Sequence, residues 1–288
     1  MISVPDALPI TLVLAVLVSV FLSLERQAPV ARVRLWAYAW SLTFLHFFAR
    51  AMENQGGIVQ TILTPVDSAA LELSALVFLA SLLFEANERA KRIGLLTALG
   101  LPLLAHAFAI GFHVGSPTLW ASLLVPTILC AVSFLFFAPP RRQFRHAAGI
   151  IAVAAAGLWA VHEQMRGDAL TPMALFLALS FCLCGLQFWK IYRRSSLGVI
   201  TTTIGFIAWG AEYPLALGVH DLLTTMQVNL DFWNVPRILV ALGMVLTLLE
   251  EKTKVLEEAR SRAQAESLLL QRLSQITSRL LAGNDPSA

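Results

Sequence analysis

Residues Ile93–Leu135 read IGLLTALGLPLLAHAFAIGFHVGSPTLWASLLVPTILCAVSFL, and two histidines are their only ionisable groups short of the cysteine. A run of about 18 apolar residues is long enough to cross the hydrocarbon core of a bilayer. This stretch supplies two candidate spans, 93–113 and 117–138. The character recurs along the chain, and Leu8–Leu24 is also uncharged. Of the 288 residues, 57% are hydrophobic and 14% charged. Soluble domains carry about 25% charged residues, and a large core does not explain that deficit. The first segment lacks the basic start of a signal peptide, since only Asp6 is charged before Leu8. It also lacks a small-residue cleavage site before a soluble domain, so it reads as a retained first span. Cys130, Cys182 and Cys184 all lie in hydrophobic segments. They read as reduced packing residues, and the spacing of Cys182 and Cys184 is not that of a zinc motif.

Working outward, the sequence predicts an all-α polytopic transmembrane bundle of eight or nine spans. The candidates are 8–24, 35–50, 68–87, 93–113, 117–138, 146–164, 171–191, 197–217 and 232–250. The stretch from Tyr213 to Trp233 is open to three readings: a loop, a re-entrant segment or an interfacial helix. Basic residues decide the orientation. Arg26, Arg32 and Arg34, then Arg89, Lys91 and Arg92, then Arg141, Arg142 and Arg145, then Lys190, Arg193 and Arg194 fall on one side. Only Arg50, Arg166 and Arg237 lie near span ends on the other. The positive-inside rule makes the basic side cytoplasmic. The N-terminus is therefore expected outside and the C-terminus in the cytoplasm of a bacterial inner membrane. These loops account for the pI of about 9.0, so nucleic-acid binding is not implied. Trp36, Trp40, Trp120, Trp189 and Trp233 lie near predicted span ends, where indole rings anchor at headgroups. Pro102, Pro126 and Pro214 are candidate kinks, and Ala154–Gly157 is a small-residue face for close helix packing. No solenoid repeat and no inverted-repeat symmetry is evident.

The character changes after Leu249. Glu250–Ser278, EEKTKVLEEARSRAQAESLLLQRLSQITS, contains no Gly or Pro and is rich in helix formers. One heptad frame runs through Leu249, Leu256, Ala263, Leu270 and Thr277, and a second uses Val255, Leu269 and Ile276 with Leu273 and Leu280. Small and polar residues interrupt both, so the coiled coil is weak. No proline separates Val240 from Leu281, so this helix should continue out of the last span. A continuous helix can carry rotation or translation, and a weak seam permits two registers of similar energy. A solvated amphipathic tail without a signalling role is the plainer reading. The expected organisation is a membrane domain over 1–250, a cytoplasmic helix over 251–282 and a short linker over 283–288.

Phe232–Glu251, FWNVPRILVALGMVLTLLEE, followed by LEEARSRAQAESLLLQRLSQITSRLLAGND, resembles the end of the membrane sensor region in bacterial sensor histidine kinases and diguanylate cyclases. Leu268–Asp285 is similar to the helix that opens a GAF domain. The resemblance covers only Phe232–Asp285. Over the other spans it is architectural. It implies a multi-span sensor joined to a cytoplasmic output domain, with a kinase modestly favoured, and a homodimer formed through the terminal helix. No phosphoacceptor-histidine box, N or G box, or GGDEF sequence precedes Ala288. The expectation is a chain without its output domain and without catalysis of its own.

Ionisable residues inside spans are costly and are functional candidates by default. His46, Arg50 and Glu53 sit at i, i+4 and i+7 on one helical face. Glu72, His106, His162 and Glu212 fall in other spans, and His113, Glu163, Asp221, Asp231 and Arg237 lie nearby. Under the expected topology all of these lie in the outer half. They fit a periplasm-facing pocket for a small ligand or metal ion, with histidines as metal ligands or Arg50 paired to an anion. They equally fit an internal network, with Arg50 neutralised by Glu53 and Glu72 and the histidines hydrogen-bonded between helices. No spacing identifies a cofactor. Three functions follow: a sensory module, a secondary transporter or channel, and a membrane enzyme with histidine-bound metal. The last has no H-E-x-x-H or nucleophile elbow to support it.

Overall fold

A computed structural model describes residues 4–27, 30–52, 57–84, 88–137, 143–193, 195–226 and 234–283. Among the described residues the chain is all helix: α1 (Val4–Gln27), α2 (Ala31–Met52), α3 (Gly57–Leu83), α4 (Arg89–Gly111), α5 (Pro117–Phe137), α6 (Gln143–Met165), α7 (Leu170–Tyr192), α8 (Leu197–Met226) and α9 (Val235–Gly283). Glu53, Arg141, Arg142, Arg194, Asp231, Trp233 and the segment 284–288 lie outside the described residues, as does the side chain of Asp221.

Five helices, α1, α3, α4, α5 and α7, are long and apolar enough to cross a membrane. This composition makes the chain a multi-pass helical membrane protein. Of the other expected spans, α2 carries Arg32 and Arg34 in its first turns, Arg50 in its last and buried His46 between them. A helix that buries polar groups against its neighbours needs less apolar surface. The faces of α5 and α6 turned away from the protein are apolar, with Phe136 66% exposed on α5 and Leu158 71% on α6. Such surface is costly in water and unremarkable in lipid.

Each helix packs on the next in sequence from α1 to α7, and α7, α8 and α9 continue the series. The contact between α3 and α7 closes the bundle. Its centre is aromatic. Trp36, Trp40, Trp209, Phe78, Phe181 and Phe206 are fully buried. Phe181 stacks on Trp209 with ring centroids 3.9 Å apart, and Phe78 meets Trp40 edge-on at 5.3 Å. Such pairs contribute roughly 0.5–1.5 kcal/mol beyond their buried area. This corrects the headgroup-anchor expectation for Trp36 and Trp40. Both face the core, where Trp36 Nε1 donates to Ser81 Oγ at 3.1 Å. Trp189, 44% exposed, faces outward as a headgroup anchor must.

The third span begins earlier than expected. Helix α3 starts at Gly57 rather than 68 and carries Pro65 inside it. Pro65 is buried against Gly111 of α4, where an added Cβ would lie 2.8 Å from Pro65 Cα. The tertiary contact therefore holds the helix through its proline. From Tyr213 the chain also stays helical, through Pro214 and on to Met226. The expected small-residue face of α6 is used, since Gly157 lies against Ile128 of α5.

Candidate functional site

The polar residues gather where the end of α2, the first half of α3, the middle of α8 and the start of α9 meet. Arg237, in the first turn of α9, lies 2.6 Å through Nη2 from Glu212 Oε1 of α8. Their side chains are 7% and 12% exposed. Arg237 Nη1 donates to Asn234 Oδ1 at 3.1 Å. Its Cζ lies 5.2 Å from the Phe47 ring centroid and 5.5 Å from that of Trp209. Burial between two rings, with an ion pair and hydrogen bonds at the edge, suits the weakly hydrated planar guanidinium. Glu212 Oε2 is buried with no hydrogen-bond partner.

Beside this pair, His46 of α2 meets Asp67 of α3. His46 Nδ1 lies 3.1 Å from the Asp67 carbonyl oxygen and 2.6 Å from Asp67 Oδ1. The aligned hydrogen bond is the one to the carbonyl, so the carboxylate contact is mainly electrostatic. One turn inward, the Thr43 and Ser74 hydroxyls are 2.7 Å apart and extend the polar α2–α3 seam. His46 and Arg50 lie within electrostatic reach of Glu212. The two pairs therefore form one cluster across four helices. Arg50 is exposed at its edge and makes no ion pair among the described residues.

Of the sequence candidates, His46, Arg50 and Glu212 come together here, and Glu53 lies outside the described residues. The other three do not join them. Glu72 is 2% exposed, with Oε2 unpartnered. It stands five residues after Asp67, about 140° further round the helix, so the face of α3 that carries Asp67 to His46 on α2 does not carry Glu72. His106 Nε2 of α4 donates to Gln164 Oε1 of α6 at 3.0 Å. His162 is exposed on α6. Among the described residues no three His, Cys, Asp or Glu side chains converge on a possible metal position.

Sequence reasoning missed Asp67, because the third span was begun one residue after it. It placed Arg237 near the cluster without making it the centre. Gln164 carried no signal, since a single amide in an apolar segment is unremarkable by pattern.

Helix α9 is fixed to α8 beyond the cluster. Gly205 and Gly243 let the backbones touch: an added Cβ on Gly205 would lie 2.8 Å from Val240 N, and one on Gly243 2.5 Å from Thr202 N. At the other end of the contact, Gly198 N, in the first turn of α8, donates to Glu250 Oε1 at 3.2 Å. The carboxylate thus meets an otherwise unpaired donor at a helix N-terminus. Beyond Glu251 every described side chain of α9, from Lys252 to Ser274, is exposed.

The fold and its buried charges define the class, a multi-pass helical membrane protein with a polar cluster at one end of the bundle. Comparison with protein-family models, curated proteins and solved structures finds no match to this chain.

Proposed function

We propose that the chain is a membrane-embedded sensory module. It detects a stimulus at the polar cluster and relays it through α9 to a cytoplasmic output domain, a histidine kinase. The basic loops favour the N-terminus outside, α9 entering the cytoplasm, and a bacterial inner membrane as the setting. The observation that carries the reading is the continuity of α9. One 49-residue helix begins at the buried Arg237–Glu212 pair and ends in an exposed, leucine-bearing tail. A change in that pair acts on the first turn of a rigid rod, and exposed leucines such as Leu256 and Leu270 along the tail offer a surface for a second copy.

The test is a fusion of the full chain to a dimeric kinase reporter, with one to seven residues inserted near Lys254. Each residue rotates a helix by about 100°, so output should rise and fall with helical period. Output unchanged across the series would rule out relay through the helix. Arg237→Met should lock or abolish the response while leaving the protein in the membrane.

A further inference from the structure

A groove runs along the outer face of α4 and α5, at the end of the bundle where α4 begins and α5 finishes. It encloses about 510 Å³, within the roughly 300–1,000 Å³ range of small-molecule sites. On α4, Lys91, Gly94 and Ala98 stand at i, i+3 and i+7 and line one wall. On α5, Leu129 and Ser133 stand at i and i+4 and line the other. The small residues of α4 leave the space open, since a Cβ added at Gly94 would meet nothing within 4 Å. The floor is firm. Phe84 and Phe134 meet edge-on with ring centroids 5.8 Å apart, and Phe84 and Leu95 are buried.

The walls are graded from polar to apolar. Lys91 lies in the first turn of α4 and Ser133 one turn before the end of α5, so both stand at the mouth. Ala98 lies about 10 Å deeper than Lys91, and Leu129 about 6 Å deeper than Ser133. Both helices are long and apolar enough to cross a membrane, and Gly94, Ala98, Leu129 and Ser133 are exposed, so the groove opens to lipid. Residues 85–92 carry three basic side chains against two acidic ones, which makes the mouth net positive. Lys91 Nζ lies 2.6 Å from Glu88 Oε1, in an open pair whose side chains are 69% and 31% exposed. Such a pair contributes little, and the ammonium keeps two further protons to donate.

We propose that this groove is a site for an anionic phospholipid, with one acyl chain along Gly94, Ala98 and Leu129 and the phosphate at Lys91. The polarity of the groove is that of the ligand: methylenes meet the apolar floor, and the charge meets the cation at the mouth. Arg89, exposed beside Lys91, adds to the attraction. The Ser133 hydroxyl is placed to donate to a headgroup or ester oxygen. A zwitterionic headgroup carries its own cation and gains less from Lys91. The proposal does not rest on the relay, since binding is measured without any output.

The experiment uses the full chain, one copy per nanodisc, in phosphatidylcholine. The probe is a phosphatidylglycerol with a diazirine in one acyl chain, and labelled peptides are located by mass spectrometry. Labelling should saturate on residues 94–98 and 129–134. Unlabelled phosphatidylglycerol should displace it, and extra phosphatidylcholine should not. Lys91→Gln should weaken binding about fivefold, and Ser133→Ala should weaken it less. Glu88→Gln frees the Lys91 ammonium and should tighten binding, which separates a role in lipid binding from a role in the surface pair. Ala98→Phe, which fills the groove from an exposed position, should remove site labelling while leaving labelling of lipid-facing Leu158 intact. Labelling that never saturates, equal displacement by phosphatidylcholine, native affinity in Lys91→Gln or weaker binding in Glu88→Gln would overturn the proposal. So would labelling lost in nanodiscs that hold two copies, which would seat a second chain in the groove instead.

Discussion

Removing the Arg237 guanidinium leaves Glu212 buried at 12% exposure without its ion-pair partner, and leaves the Phe47 and Trp209 faces without their cation. Breaking a buried pair from one side costs about 3–5 kcal/mol, most of it the penalty of the stranded charge. Arg237→Met should therefore lower thermal stability in detergent strongly, and Glu212→Gln less. The double variant should recover much of the loss. A double-mutant cycle that came out additive would mean the two residues are not energetically coupled. Asp168, in the connection before α7, offers a pH test outside the spans. Its carboxylate accepts from Thr171 Oγ1 at 2.6 Å, Leu170 N at 2.9 Å and Thr171 N at 3.2 Å. The Thr171 hydroxyl holds its pKa below the usual carboxylate value against the opposing effect of burial, and the two backbone N–H groups each add less. A depressed folded pKa stabilises above the unfolded value and is lost as pH falls through the folded one. Its contribution is thus complete above pH ~4 and fades below. Asp168→Ala should cost about 1 kcal/mol at neutral pH, as loss of a helix cap does, and its deficit should shrink below pH 4. At this scale the sequence was partly legible. Charged residues in apolar runs announced His46, Arg50 and Glu212, because lipid makes each one expensive. Which of them meet was not legible, since that depends on which face of α3 turns to α2 and which to α4.

Among the elements, the α8–α9 seam rests on glycine. An added Cβ on Gly243 would meet Thr202 of α8, and the Thr247 hydroxyl in the next turn donates to the Gly243 carbonyl at 2.8 Å. Gly243→Ala should therefore force the two helices apart and cost roughly 1–3 kcal/mol. Gly94→Ala in α4, where nothing lies within 4 Å, should leave stability unchanged or slightly raised. Thermal unfolding of both variants compares them directly, and equal behaviour would remove the seam as a structural constraint. The existence of the elements was readable from apolar run length alone. Their limits were not. Pro214 read as a candidate kink and the third span was begun after Pro65, yet both prolines lie inside helices. For Pro65 the reason is its packing against Gly111, a contact between residues far apart in sequence that local propensity does not encode.

Across the whole molecule, the contrast between a buried bundle and a bare tail bears on oligomeric state. The membrane part of α9 buries Val240, Ala241 and Met244, whereas Leu256 is 69% and Leu270 67% exposed in the tail. Large apolar side chains repeated along one helix beyond the bilayer have no lipid to face. The heptad frame through Leu249, Leu256, Ala263 and Leu270 would bury them against a second copy. The interruption at Ala263 keeps that pairing weak, so the dimer should be sensitive to register. Single cysteines introduced at each position from Leu268 to Leu273, in a chain whose three native cysteines are replaced, measure this in membranes by oxidative cross-linking. The expected outcome is strong cross-linking at Leu270 and Leu273 and weak cross-linking between them. Replacing Leu256 and Leu270 by Lys should abolish cross-linking at Leu273 without moving the Arg237–Glu212 pair, so thermal stability of the membrane part should hold. Uniform cross-linking at all six positions would describe a solvated tail that collides at random, and the relay would then lack the paired helix on which it depends.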